Sequence, residues 1–170
     1  MSSNQIMEKF QKMGIGEKII LIAGPLLFID TFLPWYSISC VNVTGFGCVG
    51  GGSVNGWSAP GSIWSILAGL IGLVAAGLVG VTAFSTVKMP ALPQGVTWGR
   101  IYLGLGIAGI VCILLKLAAH SGNMGFGFFV GIILVAALVA GGGLLFQAEG
   151  GLASFSGGKG GGTTGSGSTM

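Results

Sequence analysis

The sequence predicts an all-α membrane protein: a bundle of four transmembrane helices with a short extracytoplasmic loop that can hold a small β-hairpin. Three observations predict it. Of 170 residues, 52% are hydrophobic and only 6% are charged, whereas soluble domains carry about 25% charged residues. The apolar residues come in four long blocks, which suits lipid better than water as the solvent. The basic residues, finally, fall almost entirely on one side of those blocks.

The elements follow in chain order. In residues 1–18, Ile6, Phe10 and Met13 recur at i, i+4 and i+7, while Glu8, Lys9, Gln11 and Lys12 fill the other face. This spacing predicts a short amphipathic leader helix on the membrane surface, its lysines near anionic headgroups. The first span covers about 19–36, holds Pro25 and Asp30, and ends in Phe32-Leu33-Pro34-Trp35-Tyr36. No small-x-small cleavage site follows it closely, which favours an uncleaved span over a signal peptide. The outer loop, 37–61, contains no Lys, Arg, Asp or Glu. Residues 38–44 alternate and 45–52 are glycine-rich, so a hairpin turning near Thr44-Gly45 is expected. Further spans are predicted at 62–84, 99–119 and 124–146. Each has the ~20 residues that cross ~30 Å of hydrocarbon at 1.5 Å per residue. Residues 148–170 form a Gly/Ser-rich tail with too few apolar groups to offset its ordering entropy, and disorder is expected there.

With four spans, Lys9, Lys12, Lys18, Lys88, Arg100 and Lys159 share one side, and only Lys116 lies toward the other. Lys and Arg are retained in the cytoplasm, so both termini are predicted there and the protein is placed in the plasma membrane. Trp35, Tyr36 and Trp64 mark the outer interface, and Trp98 with Tyr102 marks the inner one.

Composition also narrows function. A net charge of +3, scattered along the chain, gives no nucleic-acid surface. No G-x-x-x-x-G-K and no G-x-S-x-G is present, and the single histidine, His120, has no acid beside it in sequence. Cysteine spacing offers no zinc set. The expectation is a non-enzymatic protein without cofactor or metal, whose partners are the bilayer and another membrane protein or a second copy of itself.

A few residues stand out. Cys40 and Cys48 share the outer loop and can pair across the hairpin on an oxidising side, while Cys112 reads as an apolar packing residue. Asp30 is an ionisable group within a span, which makes it a functional candidate. Counted from the inner ends, Asp30 lies ~18 Å up the first span and Lys116 ~24 Å up the third. A lysine side chain can bridge that offset, so an intramembrane Asp30–Lys116 pair is a candidate, with a small transporter or channel component as its functional consequence. Separate solvation of each group at the interface is the plainer alternative. Ala68, Gly72, Ala76 and Gly80 form a small-residue stripe on the second span, and Gly127 with Gly131 does so on the fourth. Gly104 with Ala108 repeats the spacing on the third. Such stripes let helix backbones approach closely, either within the bundle or against a partner. The lead expectation is a structural or accessory subunit that packs with partners.

The run Phe32-Leu33-Pro34-Trp35-Tyr36-Ser37, followed by Asn55-Gly56-Trp57-Ser58-Ala59, carries a resemblance. Over residues 19–84 the chain resembles the small multi-pass membrane proteins of actinobacteria that end their first helix with FLPWYS and place Gly-Trp before the second. That group implies no activity and lends no functional residue. In layout, Trp35, Cys40 and Cys48 are similar to the first outer loop of claudins, but without the Gly-Leu-Trp that claudins place before the first cysteine, so only architecture is shared.

Overall fold

A computed structural model describes residues 3–45, 47–58, 61–85, 92–93, 96–119 and 122–151. The predicted tail beyond 151 lies outside these residues, as do Lys88, His120 and Lys159. The elements run α1 (Ser3–Lys12), α2 (Ile15–Asp30), β1 (Pro34–Ile38), β2 (Val41–Val43), β3 (Gly47–Val49), β4 (Gly52–Asn55), α3 (Ser62–Phe84), α4 (Trp98–Ala119) and α5 (Phe126–Ala148).

Helices α3, α4 and α5 are each long and apolar enough to cross a membrane. Helix α2 has 16 residues and is shorter than predicted. The chain leaves the helix at Thr31, whose hydroxyl donates to the Phe28 carbonyl at 2.7 Å. Tight turn bonds follow, Phe32 N–H to Ile29 O and Leu33 N–H to Asp30 O. Pro34 then has no N–H to offer, and it biases Leu33 away from helical backbone. Residues 31–36 are apolar enough for a span, but Pro34 makes their second half a strand.

The four long helices form a ring in which α2 packs on α3, α3 on α4, α4 on α5 and α5 back on α2. Neighbours run antiparallel, as the facing positions show: Gly24 meets Gly72 while Phe28 meets Gly69, and Gly16 meets Gly141 while Asp30 meets Gly131. Glycine sets the spacing at the two tightest crossings. A Cβ at Gly72 would lie 2.9 Å from the Gly24 carbonyl oxygen, and a Cβ at Gly24 would strike the Gly72 carbonyl. On the other side, a Cβ at Gly16 would lie 2.7 Å from the Gly141 carbonyl oxygen. Helices α4 and α5 meet similarly, Gly106 against Val139 and Gly142 against Leu103. Between lipid-soluble surfaces, close backbone approach supplies dispersion attraction that burial alone does not.

The predicted leader helix forms as α1. Phe10 and Met13 pack onto the bundle core, and Lys9 Nζ donates to the Phe84 carbonyl at 3.2 Å. A cation there meets the unpaired carbonyls and negative dipole end of α3.

The loop between α2 and α3 is a hairpin in two stages. β1 pairs antiparallel with β4, and β2 with β3 beyond it. The far turn uses Thr44 and Gly45, with Gly45 at φ +92°, a conformation open chiefly to glycine. Cys40 and Cys48 are joined there, their Cα atoms 5.5 Å apart. The bridge closes a short loop, and loops of this size are stabilised by about 2–3 kcal/mol. Reduction is therefore expected to raise amide exchange in residues 39–50 while leaving α2–α5 protected. Alkylation of both thiols without prior reduction would count against the bridge.

Candidate functional site

Where the hairpin meets the bundle, several polar side chains are buried together. Asp30 is 1% exposed, and Thr31, Ser65 and Lys116 are each 0% exposed. They arrive from α2, its terminal turn, α3 and α4. Burial of ionisable groups inside an apolar bundle is costly and calls for an account of their partners.

Trp35 organises the site. The register of β1 against β4 slips between Pro34 and Tyr36, so one extra residue, Trp35, faces no partner. Such a bulge interrupts strand alternation, and here both Trp35 and Tyr36 point inward. The Trp35 indole is fully buried. Its Nε1–H donates to the Asp30 carbonyl at 2.8 Å, and its ring meets Phe128 edge to face, 5.8 Å between centroids. Gly127 and Gly131 make room for it, since a Cβ at Gly127 would lie 2.9 Å from Trp35 Cδ1. β1 itself is held on both edges. β4 pairs on one edge. On the other, Ser37 N–H donates to Asn123 O and Gly125 N–H to Trp35 O.

Lys116 reaches this cluster from α4. Its ammonium donates to Ser65 Oγ at 2.9 Å and lies 4.9 Å from the Trp35 ring centroid and 5.5 Å from that of Tyr36. Two aromatic faces and one hydroxyl replace part of its hydration. Ser65 in turn donates to the Gly56 carbonyl at 2.5 Å, and Gly56 N–H donates to Thr31 O at 2.9 Å. Trp57 Nε1–H donates to Thr31 Oγ1 at 2.8 Å. The cluster thus links the start of the hairpin, its end and three helices.

The expected direct pairing of Asp30 with Lys116 is not made. Both are buried at the same end of the bundle, but the ammonium goes to Ser65, and neither carboxylate oxygen of Asp30 has a hydrogen-bond partner. The indole of Trp35 borders both groups. A point one carbon beyond Gly131 is 2.9 Å from Asp30 Oδ2 and 3.2 Å from Trp35 Cζ2. The ammonium lies among Ser65, Trp35 and Tyr36 instead of on the carboxylate. Burial also pushes the Tyr36 phenol up from its ordinary value, so it stays neutral and is no counter-ion for Lys116.

Tyr36 also lines an open cleft of about 450 Å³ beside the hairpin, together with Ile38, Val54 and Asn123. The same residue therefore lines the cleft and lies 5.5 Å, ring centroid to ammonium, from Lys116. The Asp30 carboxylate, the inward Trp35 and the Ser65–Gly56 link have sequence signals only in part. The in-span acid was visible, whereas the bulge and the serine were not.

The small-residue stripes are used mainly inside the chain. Ala68, Gly72 and Ala76 are buried, and Gly72 and Ala76 face Gly24 of α2. Gly80 would meet only Leu21, at 3.8 Å, and Gly127 and Gly131 serve Trp35 and Asp30. Gly104 differs: it is exposed, and a Cβ there meets nothing within 4 Å. Cys112 is free and buried in α4. Among the described residues no group of three or more His, Cys, Asp or Glu could hold a metal.

Comparison with protein-family models, with curated proteins and with solved structures gives no significant match.

Proposed function

We propose that this chain is a non-enzymatic integral membrane protein of the cell membrane, a structural or accessory subunit that packs with a partner membrane protein or with itself. In this reading all four long helices span. Helix α2 is short, about 24 Å at 1.5 Å per residue, but it packs along α3 and α5 and shares their environment. The basic residues Lys9, Lys12, Lys18 and Arg100 sit at the terminal end, which supports cytoplasmic termini and an external, disulfide-closed hairpin. The resemblance to the actinobacterial FLPWYS proteins fits this layout.

The observation that carries the packing role is the outward stripe of α4. Exposed Gly104, one turn before Ala108, has nothing within 4 Å, while the comparable stripe on α3 is occupied by α2. A helix face with small residues and no neighbour is where a second helix can approach. In mild detergent the wild type is expected to run as a complex, and Gly104→Leu as a folded monomer. A wild-type monomer indistinguishable from Gly104→Leu would defeat the reading.

A second reading, a small transporter or channel component, is favoured by one observation: Asp30 is buried with both carboxylate oxygens unpartnered. Groups retained at a cost in stability mark functional positions. Asp30→Asn is then expected to stabilise the folded protein by about 1–3 kcal/mol while abolishing any solute or proton flux. Destabilisation by Asp30→Asn, with flux unchanged in vesicles, would make the acid purely structural.

A further inference from the structure

The chain has four acidic residues, and two of them meet at the end of the bundle opposite the hairpin. Glu8 is paired with Lys12 at 2.7 Å, and Asp30 lies under the hairpin. The other two, Glu17 from the start of α2 and Glu149 from just beyond α5, line one cleft of about 190 Å³ with Thr82, Trp98 and Tyr102. They are anchored rather than loose. Glu17 Oε2 accepts from Gly14 N–H at 2.9 Å, and Glu149 Oε2 accepts from Gly99 N–H at 2.7 Å. Each bond fixes one oxygen and leaves the other with acceptor capacity. Neither carboxylate has a cation within 4 Å among the described residues.

The neighbouring lysines are turned to other work. Lys9 is on the Phe84 carbonyl, and Lys18 is on the Gln11 carbonyl and over the Phe10 ring. The third acceptor is independent of the two acids. Tyr102 is 5% exposed and lines the same cleft, and its hydroxyl faces that of Thr82 without a hydrogen bond of good geometry. Its ring and that of Trp98 lie 6.4 Å apart and tilted, so the cleft presents aromatic surface beside its acceptors. Two carboxylates and aromatic faces make a site that is net negative, with the Tyr102 and Thr82 hydroxyls able to accept as well as donate. An ammonium group is the complement: it brings donors only, carries the opposite charge, and is attracted by aromatic faces.

We propose that this cleft binds an organic ammonium group. The aromatic and apolar lining favours an ammonium on a carbon stem over a bare metal ion. The volume admits a few heavy atoms, the size of an ethanolammonium. That group can come from a free amine or, if this end lies at the membrane interface as proposed above, from a phosphatidylethanolamine headgroup.

The test uses the full chain purified in maltoside detergent. Ethanolammonium is titrated at pH 7 while the thermal midpoint is read, with neutral ethylene glycol as control. The amine is expected to raise the midpoint and the diol to leave it unchanged. Glu17→Gln with Glu149→Gln keeps a side-chain oxygen to accept from each backbone N–H but removes the charge, and should weaken apparent affinity by at least roughly tenfold. Should the double variant not fold, Tyr102→Phe, which removes one oxygen, must still weaken binding several-fold. A second arm compares nanodiscs of phosphatidylethanolamine with phosphatidylglycerol against phosphatidylglycerol alone. Stabilisation by the ethanolamine lipid identifies the headgroup as the source, and stabilisation by the free amine alone identifies a soluble ligand. No response to either, or equal responses in wild type and the charge-neutral variant, overturns the proposal. So does a carbodiimide cross-link from Glu149 to one of this chain's own lysines.

Discussion

Leucine in place of Gly24 or Gly72 is expected to abolish the folded monomer. Each added Cβ would meet backbone of the facing helix rather than a side chain that can swing away. Overpacking a close-packed contact typically costs 1–3 kcal/mol, and a clash with backbone should reach the top of that range or exceed it. The effect follows from place, not from residue type. Gly77 and Gly143 also lie in long helices, but a Cβ there meets nothing within 4 Å. Gly77→Leu and Gly143→Leu should therefore fold. The yield of monodisperse protein in detergent, with helicity by circular dichroism, separates the two groups. Folded Gly72→Leu would show that α2 does not pack on α3 as described.

Trp35→Ala should be the most damaging substitution outside the glycines, at about 3–5 kcal/mol. It empties a fully buried volume between β1 and α5, removes the Nε1–H bond to the Asp30 carbonyl, and takes away one of the two rings facing Lys116. Trp57 is a contrasting case in the same motif pair. It is 40% exposed and stacks on Phe32 at 5.4 Å between centroids, so Trp57→Ala should cost far less. Unfolding in a denaturing detergent, followed for both variants, checks the difference. Equal losses would mean that the bulge does not aim Trp35 into the bundle.

These two predictions also show what could be read from the chain itself. The α3 bounds, 62–84, match the predicted span, and those of α4 and α5 lie within two residues of it. Uninterrupted apolar runs of membrane length leave few alternatives. The hairpin turn at Thr44-Gly45 was legible because strand alternation gives way there to glycine. The end of α2 was misplaced because hydropathy does not distinguish a helix from a buried strand, and the signal that does, Pro34, sits inside the apolar run. Gly24 escaped notice because it belongs to no four-residue stripe. It matters only because antiparallel packing brings it to Gly72.

The candidate site was half visible. Asp30 and Lys116 stood out as charges in apolar segments, and their shared end of the bundle followed from helix lengths. The insertion of Trp35 beside both could not be read, since it depends on one extra residue in a strand pairing. The cleft of Glu17 and Glu149 was equally hidden. Its two acids come from opposite ends of the chain, and each looks like ordinary flanking charge.

The central claim is that four helices span the membrane with the hairpin outside and both termini in the cytoplasm. Cysteine labelling tests it most directly, because Cys40 and Cys48 sit in the hairpin while Cys112 is buried in α4. Intact cells are treated with a membrane-impermeant reductant and then an impermeant maleimide. Two labels per chain, both on the hairpin peptide and both dependent on reduction, are predicted. Labelling of that peptide only after the cells are lysed would contradict the account.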